Sequence, residues 1–272
     1  MPKKLVLMGV VFLMSCGILA AQYENEPTDE KFIPEAIWAS ASGGGYWYTE
    51  VQVEARDSGV QLSEIYFFYG GGNWVGPIDV GANLSMYETW KSSNILGTLD
   101  YYDTTGFDFY PRVGAVEIGT QGGSYRILVN ARTYHSSGYS KSFNGFNQCD
   151  GQLVQTASGL RHYLSILNVQ DNSSFRCSMA LFNCTGNPIT VRVWIISGSG
   201  TVLNSKTYAL AGWDYQAFFP FDDLGLTGNY YNHTILVGPE NSTDSGQVMC
   251  LAAQVYNANN DPSARTGILY YY

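Results

Sequence analysis

The chain has 272 residues, 14 Lys and Arg against 23 Asp and Glu, and a formal net charge of −9. So acidic a balance excludes nucleic acid as a partner and disfavours anionic membrane surfaces, because both are held through neutralised phosphates. Only 14% of residues are charged, against about 25% in an ordinary globular chain, so polar surface falls to Ser, Thr, Asn, Gly and Tyr.

Residues 1–21 have the layout of a secretory signal: Lys3 and Lys4, an apolar run from Leu5 to Ala20, then small residues at Ala20 and Ala21. The run is shorter than the about 20 residues of a membrane span. The expected location is therefore secreted, periplasmic or at the cell surface. Two processing routes stay open. Cleavage after Ala21 releases the chain, whereas Leu13-Met14-Ser15-Cys16 resembles a lipobox and makes Cys16 a candidate for lipidation. In that case acyl chains anchor the protein, each buried CH2 contributing about 0.8 kcal/mol. The membrane enters only through the signal or this anchor.

Residues 22–34 read as a polar tether containing Pro27. Strands and turns follow. Val51, Val53 and Ala55 alternate with Gln52 and Glu54, the period of a half-buried strand. Asp57-Ser58-Gly59 is a turn signal, and the apolar strand Ile65-Tyr66-Phe67-Phe68-Tyr69 stops at Gly70-Gly71-Gly72-Asn73. Tyr125 to Arg132 is a further strand. No stretch sustains helical apolar spacing, so little helix is expected beyond the signal, with a turn near Asp222 to Leu226 the one candidate.

One pattern occurs twice, at an offset of roughly 125 residues. Trp47 to Val53, the turn at 57–59 and Ile65 to Gly72 have a counterpart in Phe175 to Leu181, the turn at 185–187 and Val191 to Gly198. Leu84-Ser85-Met86-Tyr87 aligns with Leu210-Ala211-Gly212-Trp213, Asn94 to Gly97 with Asp223 to Leu226, and Gly123 to Leu128 with Gly246 to Leu251. The expected fold is all-β: two tandem antiparallel β-sandwich domains, 35–140 and 160–272, joined by 141–159. Each is large enough to bury a core of its own.

Cys149, Cys177, Cys184 and Cys250 remain after Cys16 is set aside, an even set in a chain bound for an oxidising space. They are disulfide candidates, with three pairings open. No Cys-x-x-Cys pair exists, and neither a metal nor a cofactor is expected.

Ala131-Arg132-Thr133-Tyr134, Gly145-Phe146-Asn147-Gln148, Ser158-Gly159-Leu160 and Phe175-Arg176-Cys177-Ser178 with Leu181-Phe182-Asn183 form a recurring order. It resembles secreted bacterial proteins that carry an "SRTYN…TYGQ…GL…FRTN-G-VN" sequence between two Ig-like β-sandwich halves. Tyr256 to Pro262 is similar to their "VDN-TGDP" ending. Cys177 stands where a Thr is usual and Ala131 where a Ser is usual. The resemblance implies fold and export and carries no activity.

Catalytic motifs are absent: there is no Gly-x-Ser-x-Gly elbow, His-Glu-x-x-His pair, Walker loop or dinucleotide fingerprint. Asp100 and Asp103, and Asp222 and Asp223, fall in aromatic stretches that read as loops. His135, His162 and His233 are scattered. No enzyme is expected. Aromatic residues make up 15% of the chain, and Tyr and Trp offer a flat apolar face with a polar tip. Trp74, Trp90, Tyr101, Tyr102, Trp213, Tyr230 and Tyr231 sit in or beside expected loops and are candidate ligand contacts. Tyr270-Tyr271-Tyr272 is expected to finish an edge strand through which copies could associate.

The expected function is therefore an exported, non-catalytic protein with a structural, surface or adhesive role, its partner a surface protein or a glycan. The alternative is carbohydrate binding through exposed Trp and Tyr, and a third reading is a hydrolase with an unrecognised acidic site. Inward-pointing Trp74, Trp90 and Trp213 would leave the sugar reading without its only support.

Overall fold

A computed structural model describes residues 27–41, 44–138, 140–144, 154–157, 160–256, 261–266 and 268–271. The signal segment with Cys16, and Cys149 in the expected connector, lie outside them. The first-half strands are β1 (Glu30–Ser40), β2 (Tyr46–Ala55), β3 (Val60–Leu62), β4 (Glu64–Phe68), β5 (Trp74–Ile78), β6 (Ala82–Leu84) and β7 (Thr89–Ser92). Helix α1 (Ile95–Tyr102) follows, then β8 (Arg112–Gly119), β9 (Ile127–His135) and β10 (Ser140–Asn144). The second half holds β11 (Gln155–Ala157), β12 (Leu160–Asp171), β13 (Phe175–Asn183), β14 (Ile189–Ile196), β15 (Val202–Leu210) and β16 (Tyr215–Phe218). After the one-turn helix α2 (Pro220–Asp223) come β17 (Tyr230–Pro239), β18 (Val248–Tyr256), β19 (Asp261–Thr266) and β20 (Ile268–Tyr271).

The protein is all-β, and every named strand pairing is antiparallel. Alternation decides which face each strand buries. In β14, Ile189, Val191, Val193 and Ile195 are buried, while Thr190, Arg192 and Trp194 are half-buried on the other face. Strand β1 begins at Glu30, inside the stretch read as a tether, because Phe32 and Ile33 are apolar and fully buried there.

The pairing order is used twice. In the first half, β5-β4-β8-β1 and β7-β2-β9-β10 form two layers, linked where β1 meets β2 at Trp38–Ser40. In the second, β15-β14-β17-β12 and β16-β13-β18-β19 follow the same sequence of neighbours. Each pair of layers encloses a core. Val51, Val53, Phe67, Val116 and Val129 meet in the first, and Met179, Leu181, Val193, Ile235 and Val237 in the second. Both β11 and β20 pair with β12, so the C-terminal strand lies at a sheet edge of its own chain.

Two features differ from the sequence reading. First, residues 95–102 are helical. Ile95, Leu96 and Leu99 pack into the first core, but Asn94 makes no side-chain cap, Gly97 interrupts the run, and eight residues are too few for a visible period. Second, the halves share a third core that the sequence reading did not anticipate. Phe32, Phe68 and Ala115, on the outer face of β1, β4 and β8, pack against Ala180, Phe182, Cys184, Tyr215 and Met249 of the second half. The Phe182 ring lies 5.0 Å from Phe68 and 5.9 Å from Phe32, and Trp213 stacks on Phe68 at 5.4 Å. Four sheet layers thus enclose three cores, and β18 is buried on both faces from Val248 to Val255.

The 70–72 turn locks this contact. Gly71 N–H donates to the buried Asp214 carboxylate at 2.5 Å. Gly72 has φ +72°, and a Cβ there would come within 3.0 Å of the Gly212 carbonyl oxygen, so only glycine fits without displacement. A buried ion pair, Lys141 to Glu35, ties β10 to β1.

The cysteine expectation narrows for the three described cysteines, while any bridge to Cys149 lies outside the described residues. No disulfide joins Cys177, Cys184 and Cys250 to one another. Cys177 and Cys250 face the second core, whereas Cys184 faces the third core on the opposite side of the sheet. Cys177 pairs in register with Gln254, four residues along β18 from Cys250, or roughly 13 Å. A disulfide requires Cα atoms within about 7 Å. Burial, with the neighbouring Cys184 second, pushes the Cys250 thiol up, which leaves it unreactive.

Candidate functional site

The predicted aromatics separate into two groups. Trp90 is half-buried against the first core, Trp213 is stacked on Phe68 in the third, and Tyr230 stacks on Phe221 at 5.1 Å. These three serve packing. Trp74, Tyr101, Tyr102 and Tyr231 are exposed. Tyr101 and Tyr102 meet edge to face at 5.0 Å at the end of α1, a helix where a loop was expected, and Tyr231 stands apart at the start of β17.

Trp74 is different, because strand pairing gives it neighbours. It begins edge strand β5 opposite Phe68, on the face away from the first core. Its indole is 48% exposed and lies 5.6 Å from Tyr66, nearly perpendicular at 72°. Tyr66 continues through Phe68 into the third core, so the exposed indole stands on a rigid aromatic ladder.

The same face carries three carboxylates that sequence reading did not single out. Glu117 pairs across the sheet with Tyr66 on one side and Phe32 on the other. In the adjoining row Gly119 stands between Glu30 and Glu64. That position holds no side chain, and a Cβ there would meet the Glu64 backbone oxygen at 3.0 Å. Glu64 accepts the Gly122 N–H at 3.0 Å. Burial, then the charges of Glu30 and Glu64, push the Glu117 carboxyl up to about 8. Burial and Asp29 raise Glu30 as well, and burial, Glu117 and Glu64 raise the Tyr66 phenol. At neutral pH this face therefore offers a protonated carboxyl as donor beside two further acidic side chains and an aromatic corner. Perturbed groups of this kind concentrate at functional sites.

The other titratable groups sit in local structure. Asp103 accepts from Thr105 and the Phe107 N–H, which closes the turn after α1. His135 is held by Ser137 and the Gly44 carbonyl, burial lowers the His162 imidazole, and His233 contacts the Tyr231 carbonyl. No group of three or more metal-ligating side chains occurs among the described residues, and no helix there is long and apolar enough to cross a membrane.

No protein-family model and no curated protein matches the chain. Among solved structures, the apo lectin of Pleurotus ostreatus aligns with 90% of this chain and 76% of its own, at 11% identity and a TM-score of 0.22. An isomalto-dextranase of Arthrobacter globiformis T6 complexed with panose aligns over 90% of this chain and 35% of its own, at 13% identity and a TM-score of 0.25. The VP2 subviral particle of infectious bursal disease virus covers 91% of this chain and 76% of its own, at 11% identity and a TM-score of 0.23. At such TM-scores these likenesses carry no functional information.

Proposed function

We propose that this is an exported, non-catalytic adhesive protein whose Tyr66–Trp74 surface binds the sugar units of a glycan. The observation that carries this reading is the exposed Trp74 indole, fixed by Tyr66 next to Glu64 and Glu117. Sugar rings stack their C–H faces on such indoles, and their hydroxyls need both acceptors and donors. Glu64 supplies the first. Glu117, protonated below about pH 8, supplies the second.

A hydrolytic role is less well supported. Glycosidases flank the scissile bond with two carboxyl groups on opposite sides. Here Glu30, Glu64 and Glu117 lie side by side on one sheet face. A protein partner is the second reading, favoured by Tyr101, which is 80% exposed and remote in sequence from the Trp74 corner. A glycan array probed with the chain lacking residues 1–21 tests the proposal. Specific retention by one sugar class supports it, and an array without hits, alongside capture by a surface protein, would replace it with the second reading.

A further inference from the structure

The geometry points to a second ligand site, independent of the Tyr66–Trp74 surface: a groove in the second half that takes a neutral sugar or similar polyol. Strands β15 and β16 are the edge strands of the two facing layers, and the turn at 211–214 joins them. Between them lies a groove of about 580 Å³, within the roughly 300–1,000 Å³ of ordinary small-molecule sites. Lys206, Tyr208, Gln216, Phe218 and Asp223 line it.

Their chemistry selects the ligand. The Asp223 carboxylate receives Lys206 Nζ at 2.8 and 2.9 Å and the Tyr208 hydroxyl at 2.5 Å. Burial alone would raise Asp223, but the bonds from Lys206 and Tyr208 outweigh it and hold the carboxyl below its ordinary value. The pair therefore stays charged yet sums to zero, which favours neither an anionic nor a cationic ligand. A vicinal diol fits, because one hydroxyl can accept from Lys206 while its neighbour donates to Asp223. Gln216, which also lines the groove, spends its amide N–H groups on the Ala209 carbonyl at 3.2 Å and on Asp214 at 3.1 Å, which leaves its side-chain oxygen as a further acceptor. The apolar side is the half-buried Phe218 ring, which stacks on the buried Tyr208 of the second core at 4.5 Å and 19°.

Strand addition by a peptide is the competing use of two sheet edges, and local capping opposes it. Gln216 covers the Ala209 carbonyl, and the Asn204 side chain covers the Ser205 N–H on β15. A small polyol needs neither group.

Calorimetric titration of the chain lacking residues 1–21 tests the site, with a panel of neutral hexoses and disaccharides and one hexose phosphate as ligands. The expected result is a neutral sugar bound by the wild type, with affinity reduced at least tenfold in Asp223→Asn and in Lys206→Met. Lys206 is an exposed side chain, so the second variant keeps its fold should the first be destabilised, and thermal unfolding confirms it. The inference is overturned if no sugar binds, if the hexose phosphate binds more tightly than its neutral parent, or if both groove variants bind like wild type. The last outcome would leave the Tyr66–Trp74 proposal standing and remove only this one.

Discussion

Replacing Glu117 by Gln probes how the acidic face is held. In the unfolded chain this carboxyl titrates near its ordinary 4.5, and in the fold at about 8, because burial and the charges of Glu30 and Glu64 disfavour its anion. Below pH 4.5 both states keep the proton and Glu117 has no effect on stability. Between 4.5 and 8 the folded protein retains a proton that the unfolded chain has lost, so stability falls as pH rises. Above about 8 the full cost is present. Tenfold changes in proton affinity correspond to about 1.4 kcal/mol each, which gives an upper bound of ~5 kcal/mol, and water at the partly open face reduces this to roughly 2 kcal/mol. Glu117→Gln should therefore match the wild type at pH 4.5 and gain roughly 2 kcal/mol at pH 8.5, or about 4–8 °C in Tm. Urea unfolding followed by tryptophan fluorescence at the two pH values measures it. An equal offset at both pH values, or no offset, would refute the assignment of the burden to Glu117.

Three further outcomes follow from the fold. Gly72→Ala should cost about 2–3 kcal/mol, against ~1 kcal/mol for Gly81→Ala: both glycines have positive φ, but a Cβ at 81 meets open space. Comparable losses in the two variants would show that the 70–72 turn does not dock on the second half. Lys141→Met should destabilise the protein by about 3 kcal/mol, since it strands Glu35 in a site where Lys141 is only 4% exposed; chemical denaturation checks it. In non-reducing conditions Cys250 should resist a thiol reagent in the folded state and react in urea, and a mapped bridge between any two of Cys177, Cys184 and Cys250 would contradict the strand register.

The sequence patterns that were legible are those written locally. Alternation at Val51-Gln52-Val53 and at Val191-Arg192-Val193 fixed strand faces, and the recurring order of strands and turns anticipated the repeated pairing. The third core was less visible. Its signal lies in runs apolar on both faces, Ile65-Tyr66-Phe67-Phe68 and Met179-Ala180-Leu181-Phe182, which mark strands covered on two sides. Glu64-Ile65-Tyr66 and Val116-Glu117-Ile118 place acids opposite a buried face, but their meeting with Glu30 depends on the β1–β8–β4 register, which spans 87 residues from Glu30 to Glu117 and has no local signature. The groove residues Lys206 and Asp223 come together only because α2 folds under β15. Even numbers of cysteines suggested bridges, and strand alternation set Cys184 on the opposite face from Cys177 and Cys250.

The most direct test of the adhesive reading is the affinity of the best array glycan for Trp74→Ala and for Tyr101→Ala, measured side by side by calorimetry. Loss of one stacked aromatic face is worth about 1–2 kcal/mol, so Trp74→Ala should bind some tenfold more weakly while Tyr101→Ala binds like the wild type. Unchanged binding by Trp74→Ala, with loss confined to Tyr101→Ala, would contradict the account and move the contact surface to α1.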